Sequence, residues 1–232
     1  MPCPDGLAPG FGVVAPAHLA ICRVKSRFGS YSSGTDRLEF GTGMLFFSRG
    51  GSSYVVTAAH NAWSPTLQRY CDGAQLDFGR DGADIPITRG ALNWWAPEAF
   101  MASEHADPEW DFGVFRVNLL KGIAPIALFR SQPPFVKETM VCGYPNQGAC
   151  AGAARPFHGS TQLLSTGPGN FDYSSLKTYD GLSGAPLLGR YESQLVSLGV
   201  HVRGLDPTEP RRAVRFLPRN VAIIGGWLGT TL

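Results

Sequence analysis

Apolar and polar positions along this chain alternate with a period of two over short stretches. The stretches 19–25 (LAICRVK), 39–47 (EFGTGMLFF), 54–59 (YVVTAA), 112–117 (FGVFRV), 139–144 (TMVCGY) and 195–202 (LVSLGVHV) are rich in β-branched and aromatic residues. Such residues fit a pleated, half-buried surface, and Gly, Pro, Ser or Asp bounds most of the stretches as turn residues do. The best helix candidate is the tail, 218–228 (PRNVAIIGGWL). Pro218 suits a first helical turn there, while the Gly225-Gly226 pair weakens the helix by about 1 kcal/mol per glycine. Residues 121–135 (KGIAPIALFRSQPPF) hold three prolines after a clear strand and read as a connector. The expected domains are therefore 1–120, a connector at 121–135, and 136–232. Each half would hold about six strands, which suits two small barrels packed together.

Composition narrows the class. Hydrophobic residues make up 44% and charged residues 16%, which excludes a disordered chain. The 29 glycines and 18 prolines, without any repeat, favour short strands joined by tight turns. Twenty basic against 18 acidic side chains leave a net charge of +2, too small to imply a nucleic-acid or membrane partner. The one basic cluster, Arg211, Arg212, Arg215 and Arg219, reads as a solvated positive edge, with nucleic-acid binding as the lesser alternative. No apolar run approaches the ~20 residues of a membrane span. The first residues carry no positive charge before Arg23 and are interrupted by Pro2, Pro4, Pro9 and Pro16, unlike a secretory signal. The expectation is a cytoplasmic chain, unless a leader was removed. Five cysteines (Cys3, Cys22, Cys71, Cys142 and Cys150) are odd in number and lack CxxC spacing. Buried free thiols are expected, with one bridge involving Cys71 or Cys150 as the alternative, and neither metal nor cofactor.

Candidate chemistry centres on 178–186 (TYDGLSGAP). Ser183 lies between Gly181 and Gly184, and glycines let a tight turn expose its N–H groups. The N–H groups of Gly181 and Ser183 can converge on a carbonyl oxygen as an oxyanion hole. A glycine-rich hairpin with an incidental serine would look the same. A serine hydroxyl needs a base. His60 ends the apolar strand YVVTAA after the small Ala58 and Ala59, where a strand-end histidine would reach a barrel mouth. A base needs a carboxylate to fix its tautomer. Asp111 abuts the strand FGVFRV and is preferred to Asp107, which precedes Pro108 in a loop.

The order His60, Asp111, Ser183, each in its strand context, resembles the chymotrypsin-fold serine proteases. Within that superfamily the chain is most similar to the glutamyl endopeptidase family. The blocks GTGMLFF, TAAH, DPEWDFGVFRV, VCGYP, LKTYDGLSGAP, GVHVRG and RAVRF carry the resemblance from about residue 40 to residue 216. It implies an all-β fold of two six-stranded antiparallel Greek-key β-barrels, with a short C-terminal helix. It also implies that Ser183 is nucleophile, His60 general base and then acid, and Asp111 the orienting carboxylate, with an acyl-enzyme between. Digestive relatives carry an aspartate before the nucleophile that pairs with a freshly cut N-terminus. Leu182 stands there, so that activation switch is expected to be absent.

The resemblance further implies that Thr178 and His201 recognise a glutamate side chain before the cut. A hydroxyl and an imidazole can both donate to a carboxylate. Lys177 and Arg203 lie beside them and would favour an acidic side chain if they point inward, which strand alternation argues against. The expected partner is a protein or peptide substrate; the oligomeric state is left open. Similar patterns occur in viral chymotrypsin-like proteases that cut after Glu or Gln, so a polyprotein-processing enzyme is one alternative. A non-catalytic peptide-binding member of the fold is another.

Overall fold

A computed structural model describes residues 8–9, 17–29, 37–79, 87–103, 107–129, 139–146, 156–174, 180–203 and 211–232. The described strands are β1 (Ala8–Pro9), β2 (Ile21–Phe28), β3 (Arg37–Arg49), β4 (Ser52–Thr57), β5 (Trp63–Ser64), β6 (Arg69–Tyr70), β7 (Gly73–Phe78), β8 (Ile87–Gly90), β9 (Asn93–Trp95) and β10 (Gly113–Asn118). They continue with β11 (Ala127–Leu128), β12 (Thr139–Gly143), β13 (Phe157–Thr166), β14 (Asn170–Ser174), β15 (Pro186–Tyr191), β16 (Gln194–Arg203) and β17 (Arg211–Arg215). All six stretches singled out in the sequence overlap one of these strands.

The first sheet runs β8-β7-β2-β3-β4-β10-β9, with antiparallel pairs throughout. It has seven strands rather than the expected six and curls into a half-barrel. The link between β8 and β9 reaches both sides: Ala91 N–H donates to Ala74 O at 2.8 Å and Leu92 N–H to Arg116 O at 2.7 Å. The extra strand arises because one stretch, 87–95, pairs with β7 through its first half and with β10 through its second, and so is divided into β8 and β9 at opposite edges. The second sheet closes fully through β13-β12-β15-β16-β17-β14, since β14 also pairs with β13. This gives the expected six-stranded barrel. β1 adds to β13, and β11 adds parallel to β16.

The connector joins both sheets. Ile126 N–H donates to Leu45 O of β3 at 3.0 Å, and Phe129 N–H to Ser197 O of β16 at 2.8 Å. Phe28, Phe78, Phe112, Phe115, Met44 and Leu45 fill the core of the first sheet, all fully buried. Each such side chain gains roughly 1.5–3 kcal/mol by leaving water. Phe171, Tyr173, Leu182, Leu187 and Leu198 fill the second core. The predicted tail helix forms over Pro218–Leu228 with proline in its first turn, and Gly229 ends it in the left-handed region (φ 62°). Its Val221 and Ile224 pack back onto the first core, and the Trp227 ring lies 6.0 Å from that of Phe112.

Cys22, Cys71 and Cys142 are buried and unbridged, which removes the alternative of a bridge at Cys71. Burial pushes the Cys71 thiol up to about 12. Cys3 and Cys150 lie outside the described residues. Among the described residues no helix is long and apolar enough to cross a membrane.

Phe115 sits mid-strand on β10, so its removal leaves a cavity that flanking strands cannot collapse. We expect Phe115→Ala to lower unfolding free energy by about 3–5 kcal/mol in denaturant titration. A loss below about 1 kcal/mol contradicts this packing.

Candidate active site

Strand register brings His60 and Asp111 together. β4 and β10 pair with Thr57 opposite Gly113. Extending that register by two residues sets Asp111 across from Ala59, beside His60. A short 3-10 turn over Ala59–Asn61 then turns the histidine out of the strand. Nδ1 of His60 lies 2.7 Å from Oδ2 of Asp111, and the His60 backbone N–H donates to Oδ1 at 3.0 Å. One carboxylate thus holds the residue at two points. The Asp111 side chain is 7% exposed and that of His60 28%, so the pair sits at the edge of solvent. Burial pulls the His60 pKa down, but the charge and hydrogen bond of Asp111, helped by Glu39 and Asp180, outweigh it and raise it. Asp107 is occupied elsewhere: its carboxylate accepts the Glu109 N–H at 2.9 Å.

The serine turn is shaped by two glycines in the left-handed region, Gly181 (φ 91°) and Gly184 (φ 86°). A Cβ on Gly184 would collide with Thr42 O and Thr57 Oγ1, and one on Gly181 would meet Tyr144 O at 2.5 Å. Both positions therefore need glycine for space as well as for conformation. Leu182, fully buried, anchors the turn in the second core without an ion pair. Among the described residues nothing accepts the N–H of Gly181 or of Ser183.

Ser183 is half-buried. Its hydroxyl makes no hydrogen bond to His60 among the described residues. Such bonds are often loose without substrate. The backbone joins the two elements instead. Asn61, next to His60, donates its side-chain amide to Ser183 O at 3.0 Å, and Thr42 N–H donates to the same oxygen at 2.8 Å. Thr42 Oγ1 donates to Gly181 O at 2.8 Å and accepts the Tyr144 N–H at 3.0 Å. Thr57 Oγ1 donates to Thr42 O at 2.6 Å and accepts from Asn61 at 2.8 Å. Thr42, Thr57 and Asn61 were not singled out from sequence. The bracketing of Thr42 by Gly41 and Gly43 was the only local signal.

His201 lies just behind the turn. Gly184 N–H donates to His201 O at 2.7 Å, and His201 N–H to Ala185 O at 2.8 Å. The residue is 3% exposed, and Nδ1 lies 2.6 Å from the Tyr173 hydroxyl. Burial lowers the His201 pKa to about 3, and the charges of His60 and Arg211 act in the same direction. His201 is therefore neutral at physiological pH. Of the other expected pocket residues, Lys177 and Thr178 lie outside the described residues, and Arg203 is described only by its backbone, opposite Arg212. Among the described residues no three His, Cys, Asp or Glu side chains are grouped as metal ligands would be.

This double-barrel architecture is the chymotrypsin-type fold. Three solved proteases share it with this chain. A Glu endopeptidase in complex with MPD matches with a TM-score of 0.78 and 14% identity, covering 97% of this chain and 98% of its own. The thermostable serine protease AL20 from an extremophilic microorganism matches at 0.69 and 16% identity, covering 94% and 100%. The protease Anisep from Arthrobacter nicotinovorans matches at 0.64 and 14% identity, covering 85% and 89%. No protein-family model and no curated protein sequence matches the chain.

The two histidines couple to pH with opposite signs. His60, with its pKa raised above the ordinary 6.5, adds stability below pH 6.5 that is lost as pH rises through its folded value. His201, lowered from 6.5 to about 3, stays neutral while the unfolded chain takes up a proton. Stability is then lost as pH falls from 6.5 towards 3, by up to about 1.4 kcal/mol per pH unit. We expect His201→Gln to flatten the fall of the denaturation midpoint between pH 6.5 and about 4.5. An unchanged slope contradicts a buried neutral His201.

Proposed function

We propose that the chain is a serine endopeptidase that hydrolyses peptide bonds through His60, Asp111 and Ser183, cleaving after Glu, another acidic residue or Gln. One observation carries the reading: Asp111 grips both Nδ1 and the backbone N–H of His60, while the neighbouring Asn61 grips the Ser183 carbonyl. The fold shared with solved serine proteases supports it.

With Asp111 accepting the Nδ1 proton, the Nε2 lone pair of His60 is the base. His60 takes the Ser183 hydroxyl proton as Oγ bonds to the substrate carbonyl carbon. The carbonyl oxygen becomes an oxyanion that accepts from the Gly181 and Ser183 N–H groups. His60 then gives its proton to the leaving amine as the C–N bond breaks, leaving an acyl-enzyme. Water, deprotonated by His60, attacks the acyl carbon and frees the acid and Ser183. His201 behind the turn supports the acidic or glutamine preference, as does the similarity to a Glu endopeptidase.

Because Asp111, Glu39 and Asp180 raise the His60 pKa, the acid limb of kcat/KM is expected above pH 6.5. Asp111→Asn should lower kcat about 10⁴-fold, and a loss under tenfold contradicts its role. Ser183→Ala should reduce turnover about 10⁴-fold or more with an unchanged melting temperature. Profiling with a diverse peptide library should show Glu or Gln before the cut, a preference that His201→Ala abolishes. A preference for Lys, Arg or large aromatic residues would refute the pocket assignment.

A further inference from the structure

We propose that Arg23 and Asn146 are positioning residues for the candidate oxyanion hole: Arg23 holds the Asn146 side chain, and the Asn146 backbone holds the peptide unit that aims the Gly181 N–H. This rests on the endopeptidase reading and deepens it.

The serine turn does not aim that group unaided. Gly181 stands at φ 91°, and glycine accepts φ of either sign about as readily. A peptide unit is planar and trans, so its C=O and N–H point in opposite directions. The Asp180–Gly181 unit could therefore present either its N–H or its oxygen to a substrate carbonyl. The next three carbonyls are already held: Gly181 O accepts from Thr42 Oγ1 at 2.8 Å, Leu182 O from the Ala185 N–H at 2.8 Å, and Ser183 O from Thr42 N–H and Asn61. Asp180 O depends on the segment after β12, where it accepts the Asn146 N–H at 2.6 Å. With that oxygen turned to Asn146, the Gly181 N–H points the other way. The contact is close enough that a Cβ on Gly181 would meet Asn146 N at 2.8 Å.

The segment 144–146 is fixed in turn from the first sheet. Arg23 of β2 pairs with Thr42 of β3, so their side chains share one face. Thr42 Oγ1 accepts the Tyr144 N–H at 3.0 Å, and Arg23 Nη2 donates to Asn146 Oδ1 at 3.0 Å. Two neighbouring side chains thus grip the segment at residues 144 and 146. The Arg23 guanidinium lies 4.3 Å from the centre of the Phe40 ring, a cation–π contact that fixes its direction. The bond to Asn146 is part-buried and has a charged donor, which makes it stronger than a neutral bond in open water.

Steady-state cleavage of one Glu or Gln peptide tests the chain of contacts. Asn146→Ala keeps the backbone N–H and loses only its anchor; Arg23→Met removes the anchor from the other side. Each should lower kcat about tenfold with KM nearly unchanged, a fraction of the roughly 10²–10³ that outright loss of one oxyanion donor costs. A peptide aldehyde, whose adduct oxygen would take the oxyanion position, should lose affinity by the same factor. Asn146→Asp keeps an acceptor for Arg23 and should retain wild-type kcat. The double variant should be no worse than the worse single one, because both residues act through one contact. Unchanged kcat in both single variants, a loss confined to KM, or losses that multiply in the double variant would overturn the proposal while wild-type cleavage leaves the endopeptidase reading standing. Absence of Ser183-dependent cleavage in the wild type would overturn that reading, and the proposal with it.

Discussion

The carbonyl oxygen of Ser183 is a point at which the two sheets are bonded beside the candidate site. It accepts from Thr42 of β3 at 2.8 Å and from Asn61, in the turn that follows β4, at 3.0 Å. The serine turn belongs to the second sheet. Leu182 and the Gly184–His201 bond hold the turn to its own sheet, and the bonds to Ser183 O tie it to the other. With them, the carbonyl is fixed against the corner that carries His60. The clamp is buried and fully paired: Thr42, Thr57 and Asn61 satisfy one another as well as Ser183, Gly181 and Tyr144. A satisfied polar network of this kind specifies one geometry, whereas an apolar contact of similar area would tolerate sliding.

The same clamp explains the different fates of two histidines. His60 faces a carboxylate at the rim and has its pKa raised; His201 is sealed behind the turn against a hydroxyl and has its pKa lowered. Both attach to the turn through main-chain bonds of their neighbourhood, His201 directly through Gly184 and Ala185. Environment, rather than residue type, moves the two imidazoles in opposite directions.

Much of this was legible in the sequence. The strands were legible from their β-branched and aromatic residues; burial alternates along β2, whereas β3, β4 and β10 are buried at most consecutive positions. Asp111 could be preferred to Asp107 because it abuts a strand, and the structure gives Asp107 to its own loop. The tail helix was legible from Pro218. What escaped was non-local. Thr42 and Asn61 act on residues 139 and 122 positions away, and no spacing rule reaches that far. Tyr173 and His201 are 28 apart, and their meeting depends on β17 lying between their strands. The seventh strand of the first sheet was missed because residues 87–95 carry little alternation: β8 and β9 are short edge strands with few buried positions.

The central claim is that the clamp presents Ser183 to His60 as an activated nucleophile. A fluorophosphonate probe followed by mass spectrometry tests it most directly. The account predicts stoichiometric labelling on Ser183 at pH 8, lost in His60→Ala and slowed when Asn61→Leu loosens the turn. No label on Ser183, or equal labelling in His60→Ala, would contradict it.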